Sequence, residues 1–342
     1  MTITSERSLY STALFYRITA LWVICEAFAG GIMHAAKIPF TGMLVSGLAV
    51  FCIMMLAWFI PARNAILKAT VIVAIFKLAL SPHSPPTAYI AVFFQGTMGW
   101  LLLRKKIFTA SAMLVAALSL VESGAQRLLV VWLLYGNSFW QAVNEFINRL
   151  IGSGSEKNVS LLLAAGYIII HALTGLLIGL YGSRLIRRTA SWKEKYPSFI
   201  ITADDTIEEK IIPQKRKGKK LKLLLVICWL ILLAFYLQSV IAPAQAILPK
   251  GKIMMIALRS LLIIGGWSLF ISPLIMSWLR KKLQALQQHN AAHFNRTSEV
   301  LPAIKNIFLK SWRLSATYTG LKRFRIFLII LLINITHPAT NH

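Results

Sequence analysis

Two carboxylates lie inside long apolar stretches of this 342-residue sequence, Glu26 and Glu122. An unpaired carboxylate at the centre of a bilayer costs on the order of 3 kcal/mol, so both side chains are expected to face protein rather than lipid. Gln126 follows Glu122 by one helical turn and extends its polar face. The pattern predicts a polar cavity that binds a small solute, formed by Glu26, His34, Lys77, His83, Gln95, Glu122 and Gln126. The alternative is a structural network of ion pairs that holds the helices together.

A proline-rich turn interrupts the apolar sequence between Lys77 and Gly99. Its three prolines, Pro82, Pro85 and Pro86, rule out a regular helix there. Non-helical backbone at membrane depth persists only where it is buried in protein or lines a wet cavity. The turn is therefore either a ligand-facing loop or an ordinary extracellular loop.

The elements that must position these residues are membrane-spanning helices. The chain is 57% hydrophobic with a mean hydropathy of +0.67, and 14% of it is charged, against about 25% in soluble domains. Apolar windows of membrane-spanning length recur along the chain. This predicts an all-α, polytopic helical membrane protein, with a six-span N-terminal bundle and a smaller C-terminal module carrying cytoplasmic amphipathic helices.

Composition divides the chain into three parts. Residues 1–181 form the predicted six-span bundle and substrate-binding module, and residues 182–220 form a basic cytoplasmic linker. Residues 221–342 form the C-terminal membrane module with its basic amphipathic helices. The stretch 107–135 is longer than the roughly 20 residues that one span needs, which predicts a tilted or kinked helix interrupted near Ser123-Gly124.

The net charge of +26 reflects topology rather than nucleic-acid binding, because most Lys and Arg residues flank apolar segments. With the N-terminus in the cytoplasm and alternating spans, 27 basic residues lie inside and five outside. Positive residues are retained on the cytoplasmic side. The sequence thus predicts a multi-pass protein of the inner (plasma) membrane with a cytoplasmic N-terminus, in contact with membrane lipid and not with nucleic acid.

The sequence carries no motif of an enzyme or of a resident cofactor. It has no phosphate-cradling glycine-rich loop, no zinc-protease motif and no hydrolase serine motif. Its three cysteines are far apart in sequence, which favours buried structural thiols over a metal site. Two alternatives to transport stay open. One is a lipid-modifying enzyme that uses His83 or Glu122 as a base; the other is a scaffold whose cationic regions 182–222 and 280–325 bind anionic lipid or a cytosolic partner.

Small residues recur every four positions on the first predicted helix, at Ala27, Gly31 and Ala35, a spacing that lets a second helix approach closely. The second half opens with Lys219-Lys-Leu-Lys-Leu-Leu-Leu. Its basic amphipathic stretch contains Trp312-Arg313 and Gly320-Leu-Lys-Arg-Phe.

This layout resembles an energy-coupling-factor transporter in which the substrate-binding and transmembrane coupling components are fused. The resemblance implies uptake of a vitamin-like molecule or a metal ion, with ATP bound by separate cytosolic ATPase subunits. It also implies helix docking through the small-residue stripe and partner coupling through Trp312, Arg313, Gly320, Lys322 and Arg323. The family's short Ala-Arg-Gly-type motifs are not present in this stretch.

Overall fold

A computed structural model describes residues 3–29, 41–62, 64–81, 84–151, 158–201, 260, 261, 263, 264, 267 and 271–336. Within these residues the fold is all-helical, as predicted, and has no strand. Residues 202–220 of the linker and the start of the C-terminal module lie outside the described residues. The helices are α1 Ile3–Val23, α2 Thr41–Phe59, α3 Ala65–Leu80, α4 Pro86–Leu102, α5 Phe108–Ile151, α6 Val159–Lys195, α7 Ser272–His289, α8 Ala291–Leu314 and α9 Gly320–Thr336.

Local sequence explains several helix ends. Helix α1 continues into a π-helical segment, Ile24–Ala29. Pro61 follows the end of α2, and Pro86 opens α4 at the first helical position, where its missing N–H leaves no bond unmade. The predicted interruption of α5 at Ser123-Gly124 is wrong, because the helix is regular there. The break lies at Gly136, which adopts φ 66° and ψ −169°, a backbone conformation that glycine reaches without steric strain.

Among the described residues, three helices are long and apolar enough to cross a membrane. They are α2, the first 30 residues of α5 (Phe108–Asn137) and residues Val159–Trp192 of α6. The predicted membrane class therefore holds at the level of three candidate spans. Helices α3 and α4 have 16 and 17 residues, fewer than the roughly 20 of a perpendicular span.

The two longest candidate spans pack through a glycine pair on α6. A Cβ atom at Gly175 would lie 2.6 Å from the Ala116 carbonyl oxygen, and one at Gly179 would lie 2.6 Å from the Ala112 carbonyl oxygen. The backbones of α5 and α6 therefore touch, antiparallel to each other. This four-residue glycine spacing has the form that brings membrane helices together. The opposite face of α6, with Leu162, Leu173, Leu177 and Tyr181, is more than half exposed and is suited to lipid.

Helices α1 to α4 form the buried core. Residues 49–56 of α2 and 72–77 of α3 are buried without interruption. Helix α4 joins them through Gly96 and Gly99, where a side chain would collide with Thr70 of α3 and Ile53 of α2. These contacts make α4 parallel to α2 and antiparallel to α3.

Helices α8 and α9 form a hairpin that packs on α1. The last ten residues of α9, Phe327–Thr336, are all buried. Arg17 of α1 donates from Nε to the Ile335 carbonyl oxygen (2.9 Å) and from Nη2 to the Asn334 carbonyl oxygen (2.5 Å). A guanidinium at the C-terminal end of a helix satisfies open carbonyl groups and opposes the negative end of the helix dipole.

The chain divides into two compact units. The first comprises Met1–Arg127, Ala165–Ile207 and Leu274–His342, and the second comprises Leu128–Ala164 and Glu208–Pro273. The first unit thus draws on both membrane modules predicted from composition. In the second unit, the Asn144 side chain accepts the N–H of Ser160. The three-part division by composition stays a prediction.

Candidate functional site

A buried ion pair joins α3 to the π-helical segment that follows α1. Lys77 Nζ lies 2.5 Å from Glu26 Oε2, and the two side chains are only 9% and 4% exposed. Lys77 is held by the last turn of α3, and Glu26 by the segment Ile24–Ala29, which also contacts α2. Both charges lie in an apolar core, where an unpaired charge would strongly destabilise the fold. Each side chain therefore compensates the charge of the other.

Helix α4 contributes a second polar contact. Gln95 Nε2 donates to Ser46 Oγ of α2 (3.1 Å), while Gln95 Oε1 is buried and has no hydrogen-bond partner among the described residues. The same is true of the Tyr89 hydroxyl on the same buried face of α4: no described residue pairs with it. Buried polar groups are normally paired. This face therefore carries unused hydrogen-bonding capacity.

The second carboxylate has a different setting. Glu122 Oε1 accepts a hydrogen bond from Gln126 Nε2 in its own helix, and the same amide lies 3.4 Å from the Thr87 carbonyl oxygen at the start of α4. Glu122 Oε2 is buried, and within the described part of the chain it has no hydrogen-bond partner. Gln126 therefore connects the Glu122 carboxylate of α5 to the first turn of α4.

These polar contacts share one end of the helix bundle. Lys77 lies where α3 ends, Thr87 where α4 begins, and Ser46 in the second turn of α2. No hydrogen bond or ion pair between described residues joins Glu26 to Glu122; each carboxylate has its own partner. Of the other predicted site residues, His34, His83, Gly31 and Ala35 lie outside the described residues, and for Ala27 only the backbone is described.

The cleft in the first unit lies at the other end of these helices. It has a volume of about 150 Å³ and an apolar lining that includes Leu56, Ile60, Ile66 and Trp100, with Lys105 at its edge. The sequence predicted a cavity around the carboxylates, and none of the predicted solute-binding residues lines this cleft.

The sequence pattern does not single out two of the buried polar residues, Tyr89 and His171. The Tyr89 ring fits an apolar helix, so the sequence assigns it to the core. His171 of α6 is only 2% exposed, its Nδ1 lies 2.8 Å from the Tyr167 carbonyl oxygen, and its ring packs against Gly124 of α5. A single histidine in an otherwise apolar span is the signal that would have identified it.

The residues predicted to couple to a partner lie together at the turn of the α8–α9 hairpin. The Arg323 guanidinium stacks on the Trp312 ring (4.3 Å), and Arg313 and Lys322 are exposed. Gly320 has φ +56°, which permits the sharp entry into α9. The turn therefore presents cations together with apolar side chains such as Leu321, which is 90% exposed.

The described residues hold no group of three or more His, Cys, Asp or Glu side chains placed to bind a metal ion. The polar contacts place a carboxylate, an ammonium, an amide and hydroxyls among apolar side chains, and such groups orient polar ligands in binding sites. Comparison with protein-family models, with curated proteins and with solved structures gives no match to this chain.

Proposed function

We propose that this chain is a membrane transport protein that takes up a small solute, a vitamin-like molecule or a metal ion, in association with separate ATPase subunits. The observation that carries the proposal is the buried Glu26–Lys77 pair in an apolar helix bundle. Ionisable residues inside membrane helices are rare and costly, and they commonly mark substrate and ion pathways.

Three buried polar groups at the same end of the helix bundle support a solute site. Gln95 Oε1, the Tyr89 hydroxyl and Glu122 Oε2 find no hydrogen-bond partner among the residues that the structure describes. A bound polar solute would supply the missing partners, and a charged solute would compete with one member of the Glu26–Lys77 pair. In this proposal α4 is the centre of the site, because it carries Gln95 and Tyr89 and accepts from Gln126 through Thr87.

The finer architecture belongs to the same proposal: six spans in the N-terminal half, with the N-terminus in the cytoplasm. Helices α3 and α4 would then cross as short spans whose polar ends meet near Lys77 and Thr87. The exposed turn of the α8–α9 hairpin, with Trp312 and Arg323, would contact the ATPase subunits and pass their motion to α1, on which the hairpin packs.

A ligand screen on the purified full-length chain tests the solute site. Water-soluble vitamins and divalent cations are added singly, and the midpoint of thermal unfolding is measured, since a ligand that binds the folded state raises it. We expect one compound to stabilise the wild type and to lose this effect in Gln95→Leu and Tyr89→Phe. Gln141→Leu, at an exposed glutamine of α5, is the matched control.

Uptake in intact cells tests transport itself. Cells that express the wild type should accumulate the radiolabelled compound from the screen, and cells with Gln95→Leu should not. If a compound stabilises the protein but does not accumulate in cells, the protein binds the compound without transporting it. If no compound changes the unfolding midpoint, the proposed solute site is contradicted.

A further inference from the structure

The apolar cleft in the first compact unit lies where α2 ends, α3 begins and α4 leads into α5. Its lining comprises Leu56, Ala57 and Ile60 from one side and Ile66, Trp100 and Leu103 from the other. Its volume of about 150 Å³ is that of an engineered cavity that binds benzene. The cleft is therefore large enough for a short hydrocarbon segment.

Basic residues lie in and beside this cleft, and the stretches of sequence that carry them contain no acidic residue. Lys105 is part of the lining, and Arg104 and Lys106 are its exposed neighbours in the α4–α5 connection. Arg187 of α6 reaches the start of α5, where its Nη1 donates to Thr109 Oγ1 (3.2 Å). No Asp or Glu occurs in residues 56–66, 100–111 or 184–192.

The connection that carries Lys105 is fixed by several contacts. The Arg104 N–H donates to Ser111 Oγ (3.2 Å), and the Ser111 hydroxyl donates to the Phe108 carbonyl oxygen. The Phe108 ring packs against Trp58 of α2 at 4.8 Å. The basic residues therefore lie in a connection that hydrogen bonds and ring packing hold in place, and not in a free loop.

The position of the cleft matches a membrane surface. The candidate span in α2 ends at Phe59, the one in α5 begins at Phe108, and the one in α6 ends at Trp192, so all three have an end near the cleft. Trp100 lines it, and tryptophan is enriched at the interface between hydrocarbon and headgroups. Anionic lipid headgroups are attracted to basic residues at this depth.

We propose that the cleft binds an anionic phospholipid. One acyl chain lies along the apolar lining from Leu56 to Trp100, and the phosphate contacts Lys105, with Arg104 and Arg187 completing the positive surroundings. The charge pattern selects an anionic headgroup over a zwitterionic one. This inference is independent of the solute site, because it uses none of the residues near Glu26 or Gln95.

Native mass spectrometry of the full-length chain, released from a neutral detergent, tests the proposal with dioctanoyl phosphatidylglycerol. We expect one molecule of dioctanoyl phosphatidylglycerol to bind per chain, and to bind more tightly than dioctanoyl phosphatidylcholine. Lys105→Gln should weaken binding about fivefold, since one basic residue near an anionic lipid surface contributes about 1 kcal/mol. Ala62→Trp, which fills the mouth of the cleft without changing its charge, should also weaken it.

Arg127→Gln, at an exposed arginine of the first unit away from the cleft, is the matched control and should bind like the wild type. Unfolding midpoints without lipid verify that each variant folds; if Ala62→Trp does not, Ala57→Leu replaces it. Equal retention of phosphatidylcholine, or full binding by both cleft variants, overturns the proposal. Equal binding in the presence of excess inorganic phosphate supports it, whereas displacement by phosphate alone identifies a simple anion site and overturns the lipid assignment.

Discussion

At the scale of single residues, the Glu26–Lys77 pair has two separable roles, holding α3 to the end of α1 and offering charge to a solute. A buried pair contributes little compared with well-packed apolar residues, but either partner alone is strongly destabilising. Stability and solute binding therefore respond differently to single and double substitution. This difference lets an experiment distinguish a structural pair from a functional one.

We expect Lys77→Met to lower the free energy of unfolding by about 3 to 5 kcal/mol, because it leaves the Glu26 carboxylate buried and unpaired. The double variant Glu26→Leu/Lys77→Met should return close to wild-type stability. Thermal unfolding of the purified proteins in detergent measures both effects. A single variant as stable as the wild type would mean that the pair is not buried.

The double variant also isolates function from folding. If Glu26 and Lys77 serve the solute, this variant should be stable and yet fail to bind the compound that stabilises the wild type. Retained binding would assign the pair to structure alone and leave Gln95 and Tyr89 as the solute contacts.

We expect His293 of α8 to make the docking of the α8–α9 hairpin on α1 sensitive to pH. Its Nδ1 lies 2.8 Å from the Tyr16 hydroxyl, and burial, Lys68 and Arg296 lower the pKa of the imidazole below 6.5. A lowered pKa means that the unfolded chain binds the proton more readily, so stability falls as pH drops below about 6.5 toward the folded-state pKa.

We expect the unfolding midpoint of the wild type to fall between pH 7.5 and pH 5, and part of this fall to be absent in His293→Gln. His289→Gln, at an exposed histidine of α7, serves as the control and should keep the full pH dependence. The same pH dependence in wild type and His293→Gln would contradict this account.

The burial of single residues could be predicted where a charged side chain stands in an apolar stretch of sequence. Glu26, Lys77 and Glu122 are conspicuous as charges in apolar sequence, which predicts the burial of the first two side chains and the partial burial of Glu122. Their partners were not predictable, because the contact between Glu26 and Lys77 depends on how α3 meets the end of α1. Tyr89 has an apolar ring with a polar tip, so sequence alone assigns it to the core.

At the scale of elements, the α5–α6 contact depends on the absence of side chains at Gly175 and Gly179. The nearest atoms to a Cβ at Gly175 belong to the backbone of Ala116 and Ala117, which has no rotamer by which to move away. The two helices would have to separate to admit even a methyl group.

Gly175→Leu should therefore lower the unfolding midpoint of the purified protein and reduce the yield of folded chain, with an overpacking penalty of about 1 to 3 kcal/mol or more. Gly166→Leu, on the same helix with no atom near its would-be Cβ, should leave both unchanged. Equal behaviour of the two variants would show that α5 and α6 do not touch.

Helices were predictable from apolar periodicity and proline positions, but their irregularities were not. Ser123-Gly124 has the composition of a break, yet α5 continues through it because Gly124 packs against His171. The actual break, at Gly136, depends on a positive φ that the neighbouring sequence does not predict. Likewise Gly175 and Gly179 have the spacing of a helix-packing motif, which the sequence prediction assigns to the first helix instead.

At the scale of the whole molecule, the distribution of cations orients the candidate spans. Six exposed basic residues, Arg104, Lys105, Lys106, Arg184, Arg187 and Arg188, lie near the end of the spans that borders the cleft. The segments Thr41–Phe59, Leu128–Asn137 and Val159–Gly182 contain no Lys or Arg. Basic residues remain on the cytoplasmic side during insertion, so this end is expected to face the cytoplasm.

Cysteine labelling tests this orientation. In a background with Cys25, Cys52 and Cys228 replaced by serine, Ser84→Cys should react with an impermeant maleimide in intact cells. Lys106→Cys should react only after the membrane is permeabilised. The opposite pattern would invert the topology, and the cleft would then face the outer leaflet.

The whole-molecule arrangement was the least predictable from sequence. Composition separates a basic linker from two apolar halves, but the first compact unit combines segments from both halves. The contact of α8 and α9 with α1 joins residues more than 270 positions apart, as Tyr16 and His293 do. No local pattern in the sequence encodes such a contact.

The hydrogen bonds from Arg17 to α9 join residues that are synthesised at very different times. The guanidinium and its Ile335 partner are separated by 318 residues, which a ribosome needs roughly 15 to 60 s to add at 5 to 20 residues per second. During this interval the two α9 carbonyl groups that accept hydrogen bonds from Arg17 have not yet been made. In the proposed six-span arrangement α1 inserts before α9 exists, so water, lipid headgroups or an insertase would have to take the place of these two carbonyl groups. A product that stops short of α9 would retain that dependence and become a target for quality-control proteolysis.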